Sequence, residues 1–194
     1  MISIKTKITG LEYKEKTTWG NVFQVWTQHE GSRTEWHQVA KEKGFDSWSQ
    51  WRSAAAKKIN AENREWHRFQ ITNPNETIPK FLIGPTKTWQ SHFPKKEQNQ
   101  HSFKTLVDQI SYQDNEKVQE IKNNFPEKTE FIGVVNKNKK IVLLEGHHRA
   151  TAIALANKEN IPIKIKSNPT IVLAELKPGE EELFKNILSV KPHT

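Results

Sequence analysis

Apolar residues recur at Trp19, Val22, Phe23 and Trp26. That i, i+3, i+4, i+7 spacing predicts a helix with one buried stripe, and Thr18 stands ready to cap it. Ser32-Arg33-Thr34-Glu35 matches a capping box, so a second helix is expected there. It would carry Trp36, Val39 and Ala40 inward and stop at Gly44. Asp46 can cap a third helix, with Trp48, Trp51, Ala55 and Ile59 inward. Then the period changes. Residues 66–71 alternate as a strand does, and Asn73-Pro74-Asn75 signals a turn. Residues 94–101 are polar and read as a loop. Ser102 can cap a helix burying Phe103, Leu106, Val107 and Ile110. Residues 115–125 predict another helix, stopped by Pro126. Short apolar strands are expected at 131–135 and 141–144, joined by a polar hairpin turn at 136–140. A helix follows over about 146–157, then strands at 161–165 and 171–176, and a closing helix at 180–188.

This pattern predicts an α+β protein. A Trp-rich helical N-terminal region, residues 1–65, precedes a region over 66–194 with a small mixed sheet and surrounding helices. Trp19, Trp26, Trp36, Trp48, Trp51 and Trp66 crowd the first third, and Trp89 is the last. Indoles at helical spacing predict core rather than a stacking surface for bases.

Composition narrows the class. Hydrophobic residues make up 34% and charged residues 27% of the 194 positions, as expected of a globular chain with a polar surface. No apolar run approaches the roughly 20 residues that cross a bilayer, so no membrane partner is expected. The first ten residues lack the apolar core of a secretory signal. There is no cysteine, which excludes disulfides, thiolate nucleophiles and thiolate-bound zinc. A cytoplasmic location is the simplest expectation. The formal charge of +8 favours phosphorylated or polyanionic partners. It is spread evenly, +4 over residues 1–70 and +4 over 71–194, which favours a solvated basic surface over a dedicated nucleic-acid face.

One stretch stands out chemically: IVLLEGHHRATAIALA, residues 141–156. A buried strand runs into Glu145-Gly146-His147-His148-Arg149, and a small-residue helix follows at once. The first turn of a helix has backbone N–H groups without intrahelical partners, and its dipole favours an anion there. Gly146 removes a Cβ where a ligand approaches the backbone. Arg149 can fork onto phosphate oxygens, and either histidine can donate to them. Adjacent helical residues point about 100° apart, so His147 and His148 do not form a zinc pair. Gly84-Pro85-Thr86-Lys87-Thr88 lacks the spacing of a phosphate loop and reads as a turn, with Lys87 in reach of the site.

At these residues the chain resembles the ParB/sulfiredoxin superfamily. Its members carry a strand followed by a Gly-x-x-Arg-type box that opens a helix. The box reads Gly-Glu-Arg-Arg in partition proteins and Gly-Cys-His-Arg in sulfiredoxins. In free-serine kinases an acid precedes Gly-His-His-Arg, the form closest to residues 145–149. Residues 105–110, Thr-Leu-Val-Asp-Gln-Ile, are similar to the Ser-Leu-Val-Asp-Thr-Ile helix of sulfiredoxins. The resemblance covers about residues 66–176 and leaves residues 1–65 uncovered. It implies a ParB/sulfiredoxin-like fold and a nucleotide site on Gly146, His147, His148 and Arg149, with Thr105, Gln109 and Lys80 as further contacts. His147 stands where sulfiredoxins have their cysteine, so sulfinate reduction by that route is excluded. Only a few tens of residues follow the box, too few for the DNA-binding and dimerisation parts of partition proteins.

The expected function is therefore an ATP- or NTP-dependent phosphotransferase or NTPase acting on an unknown small molecule with Mg²⁺. Glu145 would orient the metal or substrate, His147 would take part in catalysis, and Glu76 or His92 would serve as general base. The alternative is a ParB-like module that binds nucleic acid under the control of a nucleotide switch.

Overall fold

The computed structural model describes residues 8–180 apart from 85, 95, 96, 98, 99, 113 and 162. Among these residues five strands form one mixed sheet: β1 (Leu11–Thr17), β2 (Trp66–Ile71), β3 (Glu130–Val135), β4 (Ile141–Glu145) and β5 (Thr170–Glu175), in the order β1-β2-β5-β3-β4. β3 and β5 run parallel; the other neighbours are antiparallel. The α+β class expected from sequence is present.

Side chains alternate across a strand, so each strand feeds two faces. Phe69, Phe131, Val135, Leu143, Ile171 and Leu173 turn to one face. There they pack under α6 (Phe103–Gln109), α7 (Glu116–Asn123) and α8 (His147–Lys158). Trp66, Ile132, Val134, Val142, Val172 and Ala174 turn to the other, where α1 (Trp19–Trp26) and α3 (Trp48–Lys58) cover them with Trp19, Val22, Trp26 and Trp48. Burying a large apolar side chain contributes about 1.5–3 kcal/mol, so both layers are held firmly. Trp19 lies 5.1 Å from Trp66 and 6.3 Å from Trp26 between ring centroids, and Trp26 meets Trp48 edge-on at 5.9 Å. These four indoles are core, as the helical spacing predicts.

Caps form where short polar side chains precede helices. Thr18, Ser47, Ser102 and Asn115 each accept a backbone N–H of the first turn that follows. The capping box at Ser32 does not form. Ser32 has helical backbone angles, φ −93° and ψ −5°, whereas a capping residue needs an extended one. It closes a π-helical turn over Thr27–Gly31, and α2 (Thr34–Glu42) begins after Arg33. The cap of α3 is Ser47 rather than Asp46.

Three further differences have physical causes. β1, LEYKEKT, carries no apolar alternation because it is an exposed edge strand; charged side chains suit an edge, and its place comes from the ladder to β2. The boundary expected at residue 65 consequently falls between two hydrogen-bonded strands, and β1 belongs to the sheet. No strand forms over the described residues of 161–165: Ile163 is buried without a ladder, and Pro162 has no N–H to give one. The helix expected at 180–188 lies outside the described residues, apart from Glu180, which is in no helix.

Two short helices, α4 (Pro74–Thr77) and α5 (Lys87–Gln90), flank a segment that runs beside β4. Leu82 receives and returns backbone hydrogen bonds there, to the Ile141 carbonyl at 2.7 Å and from the Leu143 amide at 3.0 Å. The next residue but one, Gly84, lies so close to β4 that a Cβ would fall 1.4 Å from the Leu143 carbonyl oxygen. This contact brings Gly84 and Thr86 against the head of α8.

Candidate functional site

β4 ends at Glu145 and α8 begins at His147, with Gly146 between them at φ +103° and ψ 14°. L side chains rarely adopt that conformation, and a Cβ here would sit 2.3 Å from Cδ1 of Phe131. Gly146 offers no side-chain cap to α8. The first intrahelical bond runs from the Ala150 amide to the Gly146 carbonyl at 2.9 Å, so the amides of His147, His148 and Arg149 have no acceptor within their own helix.

The same residues line a cleft of about 450 Å³. The volume falls within the range of small-molecule sites. One wall is the box itself, Glu145 to Arg149. Another is α7 and the turn after it, with Lys117, Glu120 and Lys128. The third comes from the Trp-rich layer: His29 and Glu30 on the π-turn, Arg33, Trp36 and Arg52. Six Lys and Arg side chains line the space against four Glu, so the cleft favours an anion.

The box histidines have different tasks. His147 is buried, and its Nε2 accepts the Gly84 amide at 3.2 Å with Thr86 Oγ1 at 2.9 Å. Its ring stacks over Trp89 at 6.0 Å and meets the edge of Phe103 at 5.7 Å. Burial first, then the neighbouring His148 charge, pushes its pKa down to about 3. His147 thus ties Gly84 and Thr86 to the head of α8 through a neutral ring. His148 lines the cleft with its ring edge-on to Trp89 at 5.1 Å, and burial lowers its pKa too.

Arg149 is also buried, lying over the Phe131 ring at 5.2 Å. Its Nη2 donates to both Glu145 oxygens at 2.5 Å. Burial pushes the Glu145 carboxyl up, and the Arg149 guanidinium pulls it back. Both oxygens of the residue expected to meet a metal are therefore engaged. Among the described residues no group of three or more His, Asp or Glu is placed to hold an ion. A guanidinium has five N–H donors, so the pair fixes Arg149 in place and leaves donors over.

A second, partly buried pair faces the cleft from the other layer. Glu30 Oε2 accepts Arg52 Nη2 at 2.8 Å and the Trp48 indole N–H at 3.2 Å. The Arg52 guanidinium lies 4.0 Å from the Trp51 ring, 4.8 Å from Trp26 and 5.3 Å from Trp36. Beside it, His29 is half-buried. Burial and then the Arg149 charge lower its pKa, so it is neutral at neutral pH.

The residues expected from sequence divide between two places. Glu145, Gly146, His147, His148 and Arg149 meet at the cleft. Glu76, Lys80 and Thr105 do not reach it; they line a separate groove of about 930 Å³ with Lys139 and Lys140. Ile141 lines the groove and Glu145 the cleft, so the two openings lie at opposite ends of β4, about 13 Å apart at the rise of a strand. Gln109 is exposed and lines neither opening, and His92 is exposed against the edge of Tyr112. The Lys87 side chain lies outside the described residues. His29, Glu30, Arg33 and Arg52 were not anticipated. One signal was present: Arg52 follows Trp48 by four positions and precedes Ala55 by three, which puts a charge on an apolar stripe. No family model, curated protein or solved structure matches the chain. Among the described residues no helix is long and apolar enough to cross a membrane.

Proposed function

We propose that the cleft at the head of α8 binds a nucleoside triphosphate with Mg²⁺, and that the protein is an ATP- or NTP-dependent phosphotransferase or NTPase acting on a small molecule. The observation that carries this is the geometry of the cleft. Three residues whose amides have no acceptor within their helix, a buried and prepositioned arginine and an excess of cations line one space of ligand size. The resemblance of residues 145–149 to the nucleotide-binding box of the ParB/sulfiredoxin superfamily supports the same ligand.

The chain's own groups suit the chemistry. The amides and Arg149 hold phosphate oxygens and offset their charge. Mg²⁺ asks for no dedicated protein cage; it is usually carried by substrate phosphates with one or two carboxylates. His29, neutral and facing the cleft, replaces Glu76 and His92 as the base. It takes the proton of the acceptor hydroxyl as oxygen bonds to the γ-phosphorus and the bond to the leaving diphosphate breaks. With water as acceptor the products are the diphosphate and inorganic phosphate.

Calorimetric titration of ATP and CTP with Mg²⁺ into the wild type and Arg149→Ala tests the proposal. Saturable binding by the wild type, weakened about tenfold or more in the variant, is expected from the loss of a charged hydrogen-bond donor. Equal and negligible binding by both proteins removes the nucleotide site.

A further inference from the structure

The Trp-rich layer carries a guanidinium with unfinished bonding. Arg52 lines the cleft opposite the head of α8. Glu30 engages its Nη2, while its Nε is buried with no hydrogen-bond partner. Buried N–H donors are nearly always satisfied in native proteins, so an arginine that lines the cleft with one donor unmet has bonding capacity left for a ligand. Arg52 is also held with unusual firmness for an arginine. Three indoles surround its guanidinium and Glu30 fixes one end, and Glu30 itself is pinned by the Trp48 N–H. A long side chain so restrained loses little freedom when it meets a ligand. Arg33 and Lys117 flank the same space.

Resting on the nucleotide reading of the cleft, we infer that Arg52 is its second phosphate-gripping guanidinium and makes the site selective for nucleoside triphosphates over diphosphates. The head of α8 and Arg149 receive the phosphates nearer the nucleoside. Arg52, reaching from the opposite layer, takes the terminal phosphoryl group, the one the reaction transfers. The N-terminal helices are then half of the site rather than an accessory cap. The π-turn that displaces Glu30 and His29 toward the cleft sets both the arginine's anchor and the base.

The test compares Mg²⁺-ATP with Mg²⁺-ADP by calorimetry on the full chain, as wild type, Arg52→Lys and Arg52→Gln. Lysine keeps the charge beside Glu30 but loses the planar fork. The wild type is expected to bind ATP about tenfold or more tighter than ADP, the worth of a charged hydrogen bond. Arg52→Lys is expected to bring that ratio to about twofold or less while ADP affinity holds within about twofold. If Arg52→Gln does not fold, Arg52→Lys alone decides. The wild type supplies an independent readout, because Trp36 and Trp51 stack on this guanidinium: ATP should change the indole fluorescence more than saturating ADP does. Equal losses for ATP and ADP in Arg52→Lys, or no change in the ratio, would overturn the assignment and make Arg52 a structural pillar. A wild type that binds neither nucleotide overturns the nucleotide reading itself, a separate outcome.

Discussion

The two openings at the ends of β4 make an informative pair. Both are lined by basic residues, and the sequence places candidate ligand-binding groups at each. The groove near Ile141 has Lys80, Lys139 and Lys140 on flexible stems, with Glu76 and hydroxyl side chains among them. The cleft near Glu145 has charges that are largely covered, paired and held over rings: Glu145 with Arg149 over Phe131, Glu30 with Arg52 among indoles. The groove has the greater volume, about 930 Å³ against about 450 Å³. Volume and charge sign therefore do not separate a site from a surface. On the proposed reading preorganisation does, since donors fixed before a ligand arrives need little ordering when it binds.

Removing one partner of a buried ion pair should separate the two ends most sharply. Glu145→Ala leaves Arg149 buried and unpaired, and an unfolding free energy lower by about 3–5 kcal/mol is expected from urea denaturation. The double variant Glu145→Ala/Arg149→Met should regain much of that loss. Glu76→Ala, at the groove, should stay within about 0.5 kcal/mol of wild type. Comparable losses at Glu76 and Glu145 would dissolve the contrast.

Gly146→Ala comes next. It forces a side chain into a left-handed conformation and against Phe131, for an expected cost of about 2–4 kcal/mol by thermal or chemical unfolding. A variant as stable as wild type would mean that the approach of β4 to α8 is loose.

The pH dependence sharpens the role of His147. Its folded pKa of about 3 lies below the unfolded value near 6.5, so the unfolded chain binds more protons between those limits. The stability it contributes is present above pH 6.5 and is lost as pH falls toward 3. Between pH 7 and pH 5 this amounts to about 2 kcal/mol. His148 and His29, both lowered, add in the same direction. Urea midpoints at the two pH values should show the loss, and His147→Gln should remove most of it. An unchanged slope in that variant would place the titration elsewhere.

The smallest effect belongs to the groove. Lys80→Ala and Thr105→Val should leave ATP affinity within about twofold and stability within about 0.5 kcal/mol of wild type. A tenfold loss of affinity would make the groove, not the cleft, the place where nucleotide sits.

Local chemistry was legible where it is decided locally. The stripe Trp19, Val22, Trp26 named its helix, Thr18 and Ser102 named their caps, and residues 145–149 named the strand-to-helix seam. What stayed hidden depends on distant partners. β1 is a strand because β2 lies beside it, and its charged residues give no period. The π-turn at residues 27–31 has no sequence period to announce it, so His29 and Glu30 went unremarked. Lys80 and Thr105 were placed at the box by the resemblance and Glu76 as a candidate base, yet β4 puts its whole length between them and Glu145. Within the box, His147 and His148 both line the cleft, but only His147 also holds Gly84 and Thr86, a tie that depends on residues some sixty positions away.

The most direct test watches the backbone of the box. In ¹H–¹⁵N spectra of the wild type titrated with Mg²⁺-ATP, the amides of His147, His148 and Arg149 should shift together and saturate. Those of Glu76, Lys80 and Thr105 should hold still. Shifts centred on the groove, or box amides that never move at saturating nucleotide, would contradict the claim that the head of α8 receives phosphate.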